Sequence, residues 1–169
     1  MGALKFIEVN DNNKIIAREL LTGYGHYLFD ELKLMAGNDT FFKELEKFPD
    51  AKYKSPNGAF FIIYDDEDPI GCVGLKRFNG SSCELKRMYI KEQFRGRGFA
   101  KTIINFIADA AALLGYEQIL LDTNVEMPAA VNAYLKAGFI KIPAYCENEN
   151  PNPVFLRLLL NSSKNSQPF

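Results

Sequence analysis

The chain lacks tryptophan altogether and has one histidine and three cysteines in 169 residues. A single histidine, His26, leaves little from which to build a histidine-based metal centre or a serine–histidine triad. Cys72, Cys83 and Cys146 are odd in number, widely spaced and without a CxxC pair, which argues against both a disulfide framework and a zinc site. Reduced, mostly packed thiols and no metal are the expectation. Long hydrophobic runs are missing too. No stretch approaches the roughly 20 apolar residues of a membrane span, and the N-terminus lacks a basic-then-apolar signal region, so neither membrane association nor export is expected and a cytoplasmic location is. Charge of one sign is also absent. Twenty basic side chains face twenty-one acidic ones, for a net charge of −1, so no global field favours nucleic acid or an anionic membrane. Any anion site must be local.

With 47% hydrophobic residues, no low-complexity body and no internal repeat, the composition suits one domain with an adequate core, drawn over residues 1–161 with a frayed tail at 162–169. Leu4 to Val9 reads as a first strand. Asp11-Asn12-Asn13 offers capping side chains for a helix from Lys14 towards Met35, with Gly23 and Gly25 as places to break it. A short helix around Phe41 to Phe48 is ended by Pro49, and Lys52 to Asn57 reads as an exposed loop. Ala59 to Tyr64 and Pro69 to Phe78 form a hairpin around the acidic turn Asp65-Asp66-Glu67-Asp68, Asn79-Gly80 turns the chain again, and Cys83 to Ile90 completes a meander. Phe99, Ile103, Phe106, Ile107, Ala110 and Leu114 then recur at helical spacing up to Gly115. Gln118 to Asp122 is a short strand, Pro128 opens a helix carrying Ala130, Val131, Tyr134 and Leu135 that Gly138 closes, and Phe139 to Ile142 and Val154 to Leu160 finish the sheet around an Asn- and Pro-rich loop. Hairpins feeding a strand–helix–strand–helix–strand half predict an α/β (α+β) fold with a mixed sheet.

The most informative stretch is Gln93-Phe94-Arg95-Gly96-Arg97-Gly98-Phe99-Ala100-Lys101, set between a strand and the start of a long helix. It reads as a pyrophosphate cradle. Gly96 and Gly98 allow a tight turn and close backbone approach, while the helix that follows aims its unpaired N–H groups at the same spot. Arg95, Arg97 and Lys101 add positive charge.

These residues resemble the GNAT superfamily of acyl-CoA-dependent N-acyltransferases, over most of the chain and most closely from Gly71 to Leu160. The phosphate signature of that family can be read as Arg95-x-x-Gly98-x-Ala100 or as Gln93-x-x-Gly96-x-Gly98. Glu84-Leu85-Lys86-Arg87-Met88-Tyr89-Ile90 is similar to the family's fourth strand, where a carboxylate precedes a pantetheine-binding segment, and Ala130, Tyr134 and Gly138-Phe139 are similar to its closing motif. Met127 stands where many members have Asn seven residues before the Tyr, which leaves the role of Asn124 open. The resemblance implies a mostly antiparallel sheet of six to seven strands flanked by about four helices. It also implies acetyl-CoA as cosubstrate, held by Met88, Tyr89, Ile90, Arg95, Gly96, Arg97, Gly98, Phe99, Ala100 and Lys101.

An amine with a lysine-like pKa of about 10.4 is mostly ammonium at neutral pH and must lose a proton before it attacks a thioester. Glu84 is the candidate base, acting through one or two waters, and Tyr134 the candidate acid for the departing thiolate. Cys83, with no histidine partner, is a poor nucleophile. The expected activity is direct acetyl transfer to a primary amine of a small molecule or peptide, by a monomer or homodimer. The region of the first helix and the Pro143 to Pro153 loop are expected to wall the acceptor pocket with Tyr24, Tyr27, Phe29 and Tyr145. A non-catalytic acyl-CoA-binding regulatory module is the alternative. A nucleic-acid domain built on Arg-Gly-Arg-Gly is opposed by the net charge.

Overall fold

The computed structural model describes residues 3–34 and 38–160. Among the described residues, seven strands form one sheet in the order β1-β2-β3-β4-β5-β7-β6. They are β1 (Lys5–Glu8), β2 (Ala59–Asp65), β3 (Asp68–Arg77), β4 (Ser82–Ile90), β5 (Gln118–Asn124), β6 (Ile140–Lys141) and β7 (Pro153–Leu159). Only β4 and β5 run parallel; every other pairing is antiparallel. Four α-helices among the described residues accompany them, namely α1 (Lys14–His26), α2 (Asn38–Glu46), α3 (Phe99–Leu113) and α4 (Pro128–Lys136). The mixed, mostly antiparallel sheet is as expected. The tail at 162–169 and the proposed reach of the first helix to Met35 lie outside the described residues.

Strand alternation divides the core between the two sheet faces. In β2, Phe60 and Ile62 point to one side and Ile63 to the other. The first side packs on Ala17, Leu20 and Leu21 of α1 and Phe41 of α2. The second receives Ile103, Ile104 and Ile107 of α3 and Tyr134 of α4. Burying one such aliphatic side chain contributes about 1.5–3 kcal/mol, so each helix is held chiefly by its apolar stripe. No helix among the described residues is long and apolar enough to cross a membrane.

The helical turns differ from the sequence reading in instructive ways. α1 runs unbroken through Gly23 and Gly25. Both glycines serve packing: a Cβ at Gly23 would sit 3.1 Å from the Tyr89 hydroxyl, and one at Gly25 2.9 Å from the Phe41 ring. After His26 the helix widens into a π-helical turn, Tyr27–Glu31, where the Leu32 N–H donates to the Tyr27 carbonyl five residues back. α2 begins at Asn38 and ends before Phe48. The strand expected over Phe139 to Ile142 shrinks to Ile140–Lys141 because the Phe139 N–H is spent on capping α4, at the Tyr134 carbonyl. β5 extends two residues past Asp122, paired with β7 to Asn124↔Pro153.

The feature that positions the site is a parting of the central strands. β4 and β5 pair only from Ser82↔Gln118 to Glu84↔Leu120. Beyond that, β4 stays with β3 as far as Ile90 and β5 stays with β7 as far as Asn124. The divergence coincides with a β-bulge: Arg87 has φ +58, and the β3–β4 register shifts between Cys72 and Gly74. An extra residue on one strand bends it and raises its twist, which carries the end of β4 away from β5.

Candidate active site

The opening between β4 and β5 is a cavity of about 1010 Å³. Its walls come from the end of β4, the turn before α3, the first residues of α3, the end of β5, α4, and the α1–α2 region. Gly96 and Gly98 have φ of +75 and +80, a left-handed backbone that L side chains rarely adopt. A Cβ at either would meet nothing within 4 Å, so the turn borders open space beside the N-terminus of α3. That is a concave seat with free N–H donors, suited to an anion.

The basic residues of this turn divide by role. Arg95 Nε donates to the Ile90 carbonyl at 2.8 Å, and its guanidinium lies 4.2 Å from the Tyr27 ring centroid. Arg97 Nη2 donates to the Gln93 carbonyl at 3.2 Å, 3.9 Å separates Nη1 from Asp65, and the guanidinium covers the Phe94 ring. Both therefore brace the turn as well as charging it. Phe99 is buried against the core, so what it can offer a ligand is its main-chain N–H. Ala100 and Lys101 also line the cavity, and Lys101 is exposed.

Met88, Tyr89 and Ile90 lie where β4 has lost β5 as a partner, so their backbone has an edge facing the cavity. Such an edge can accept an extended ligand as if it were another strand. Their side chains go to separate places. Met88 and Ile90 pack on the α3/α4 side, and Tyr89 packs on the opposite side, 5.5 Å from the Tyr24 ring. Tyr134 is buried in the wall, its hydroxyl donating to Met88 Sδ at 3.6 Å and its ring set edge-on to Phe139. Burial pushes this phenol well above its ordinary range, so it keeps its proton at neutral pH.

Glu84 is also buried, but it sits behind the cavity wall. Its carboxylate is held by Lys76 Nζ at 3.1 Å, Lys86 Nζ at 3.4 Å and the Tyr145 hydroxyl, which donates at 3.0 Å. No hydrogen bond joins it to Tyr134 among the described residues. Lys86 continues the chain of contacts to Asp122 at 2.6 Å, and Asn148 Nδ2 donates to the other Asp122 oxygen at 2.9 Å. Lys86, Asp122 and Asn148 do line the cavity, so Glu84 reaches it through them. Burial opposes ionisation at Asp122, yet the Lys86 ammonium and the Asn148 amide outweigh it and hold the carboxyl below its usual range. Burial likewise opposes the Lys86 charge, and Asp122 and Glu84 overcome it, raising the ammonium's pKa. Glu84, Asp122 and Cys146 bring one ligand atom each within 4.8 Å of one another, a grouping that could hold a metal. Between the two carboxylates the compensating cation is the Lys86 ammonium itself.

Sequence reasoning placed neither Asp122 nor Arg87 at the cavity, which both line. Asp122 ends an apolar strand and Arg87 is one of two adjacent basic residues on β4; the splay and the bulge that bring them to the cavity are properties of the sheet. Of the aromatic residues expected to wall the acceptor side, Tyr24, Tyr27 and Phe29 line the cavity, whereas Tyr145 stands behind it on Glu84. Asn124 now has a role. Its side chain donates to the Pro151 carbonyl and accepts from the Glu126 N–H, tying the loop of 143–153 to the end of β5. Burial pushes the Cys83 thiol up to about 12, which removes it as a thiolate nucleophile.

Residues 24–139 match the family model described as acetyltransferase (GNAT) family. An uncharacterised N-acetyltransferase of Schizosaccharomyces pombe is 30% identical over 160 residues, covering 94% of this chain and 93% of that protein. Among solved structures, a GNAT-family acetyltransferase of Staphylococcus aureus superposes with a TM-score of 0.76 at 20% identity, covering 94% of this chain and all of the other (100%). The spermidine N-acetyltransferase of Vibrio cholerae, solved with CoA and spermine, superposes with a TM-score of 0.64 at 22% identity, covering 93% and 95% of the two chains.

Proposed function

The chain belongs to the acetyltransferase (GNAT) family, and from that premise we propose that this N-acetyltransferase moves an acetyl group from acetyl-CoA directly to a primary amine of a small molecule or peptide. The observation that carries this reading is the parting of β4 from β5 with the Gly96/Gly98 turn and the α3 N-terminus at its mouth. Neighbouring folds solved with CoA support the same cosubstrate. Bound acetyl-CoA would supply an acyl group activated as a thioester.

This chain's residues then have four tasks. The N–H groups of the turn and of the first turn of α3 hold the pyrophosphate, with Arg97 and Lys101 supplying charge. The free edge of Met88 to Ile90 orients the pantetheine arm and offers a main-chain N–H to the thioester carbonyl. The Glu84–Lys86–Asp122 network takes the proton released by the amine, through water at the cavity wall, with Glu84 as the final acceptor. The Tyr134 hydroxyl gives its proton to the sulfur as the carbon–sulfur bond breaks and the carbon–nitrogen bond forms, and regains one from solvent. With a cysteine-like pKa of about 8.5, the thiol gains from a donor that is itself protonated at pH 7.

The test is a titration with acetyl-CoA followed by transfer across a panel of amines, scoring acetylated product by mass and free CoA by thiol release. Binding together with amine-dependent CoA release supports the reading. Tight acetyl-CoA binding with no product from any amine class would instead favour an acyl-CoA-sensing module.

A further inference from the structure

The charged groups that reach the cavity wall near the α1–α2 region are Lys86, Arg87, Asp122 and Arg95, the last lying over the Tyr27 ring. Lys86 and Asp122 neutralise each other at 2.6 Å, and the second Asp122 oxygen is taken by Asn148. Arg95 is braced by the Ile90 carbonyl and the rings of Tyr27 and Tyr89 at the glycine turn, which leaves Arg87 as the excess charge beside α2. Arg87 Nη2 reaches Glu44 Oε2 at 3.1 Å, and its guanidinium lies 4.5 Å from the Phe41 ring centroid, so the side chain is fixed on one flank. Glu44 is not part of the cavity wall and also holds Lys52, at 2.8 Å. Among the described residues, Nε and Nη1 of Arg87 make no hydrogen bond. A planar guanidinium with unspent donors, set in an aromatic wall of Tyr24, Phe29 and Phe41, matches a carboxylate attached to an apolar body.

We infer that the acceptor is a carboxylate-bearing amine, such as an amino acid or ω-amino acid, whose carboxylate is held by Arg87 while its amine faces the thioester. This rests on the transferase reading above. It excludes a polyamine, because a polycation needs carboxylates in the wall and Asp122, the sole acidic residue lining the cavity among those described, is already engaged twice. The bulge supplies the geometry. With φ +58, Arg87 breaks the alternation of β4 and turns towards α2, at a point where a regular strand would send its side chain elsewhere.

The experiment compares matched pairs, each of the common L-amino acids and several ω-amino acids against its own amide and its decarboxylated amine, in the wild type and in Arg87→Gln, Arg87→Lys and Glu44→Gln. A charge-assisted, two-point contact predicts that the wild type prefers the carboxylate by at least about tenfold in kcat/KM. Arg87→Gln should bring that ratio to within about threefold of unity, through a rise in KM and not a fall in kcat for the carboxylate acceptors. Arg87→Lys keeps a cation for Glu44, so it serves where Arg87→Gln fails to fold, and it should retain only part of the preference. Glu44→Gln frees Arg87 from its competitor and should sharpen the preference. A purely structural Arg87–Glu44 pair would instead make both variants alter all acceptors alike. Preference for the amide or the decarboxylated amine in the wild type overturns the inference, as does a carboxylate preference that survives Arg87→Gln. Should no amine react at all, the transferase reading fails by itself, and calorimetry of the same probes on the CoA complex decides the Arg87 contact: discrimination lost in Arg87→Gln sustains it, and no discrimination ends it.

Discussion

Replacing Gly98 by Ala separates what the backbone needs from what a ligand needs. Gly98 holds φ +80 and ψ 8 immediately before α3, and a Cβ there would have no neighbour within 4 Å. The folded protein therefore suffers no clash, only the left-handed penalty of about 1–2 kcal/mol for a residue with a side chain. At this chain length each kcal/mol lowers Tm by about 2–4 °C, so the expected loss is roughly 2–8 °C. Gly115 provides a matched control. It holds φ +87, also with nothing within 4 Å of a Cβ, but it lies past the far end of α3 and outside the cavity wall. Gly115→Ala should cost the same few degrees and leave CoA affinity untouched, since both variants share the backbone strain and the altered unfolded chain. At Gly98 the methyl also enters the space beside the α3 N–H groups, where phosphate oxygens would sit. A loss of about tenfold or more in acetyl-CoA affinity, worth about 1.4 kcal/mol, should appear in that variant alone. Gly98→Glu adds bulk and like charge and should remove measurable binding. Calorimetric titration and thermal melts on the three variants give both quantities. Wild-type affinity in Gly98→Ala, alongside the expected fall in Tm, would refute the cradle.

The fold was legible because its signals are local and agree with one another. The repeating apolar residues from Phe99 to Leu114, the turn residues at Asp65 to Asp68 and Asn79-Gly80, and Pro128 at the start of α4 each act within a few residues of themselves. The tight turn at Gly96 and Gly98 was legible for the same reason, since positive φ is a property of one residue. Gly23 and Gly25 misled because their purpose is tertiary: small size lets α1 approach Tyr89 and Phe41, and nothing nearby in sequence announces those rings. The π-helical turn after His26 was hidden likewise. In the site, Tyr134 was placed by its motif, but the surroundings of Glu84 were not. Its partners Lys76 and, through Lys86, Asp122 meet it because β3, β4 and β5 are adjacent in the sheet, and Tyr145 because the 143–153 loop packs on Phe78 and Phe155. Arg87 shows the limit most clearly. Read by strand alternation it is one more polar residue, and only the bulge, a cross-strand register shift, turns it into the cavity.

Three further outcomes are expected at the cavity and the residues behind its wall. Tyr134→Phe keeps the ring against Phe139 and deletes only the donor, so it should leave Tm within about 1–2 °C, because the lost hydroxyl bond is a weak one to sulfur, while slowing turnover at saturating acetyl-CoA; wild-type turnover would reduce it to packing. Glu84→Gln should lower kcat by about 10²-fold or more with little change in acetyl-CoA affinity, and the defect should shrink at higher pH as the amine loses its proton unaided; an unchanged pH–rate profile would remove Glu84 from the proton path. Asp122→Asn tests the charge balance of the wall. Because the folded chain holds the Asp122 carboxyl below its ordinary value, its ionisation adds stability above the unfolded-chain pKa of about 3.9, and that increment disappears as the pH falls through the lower folded value. Lys86 keeps Glu84 as a second partner, so the loss at neutral pH should fall at the lower end of the roughly 3–5 kcal/mol typical of a broken buried pair. The stability gap between wild type and Asp122→Asn should thus stay level from about pH 7 to pH 5 and close only below about pH 4. A gap that persists undiminished at pH 2 would mean that Asp122 contributes shape and not charge, and the ion pair with Lys86 would then have no part in setting the electrostatics of the acceptor wall.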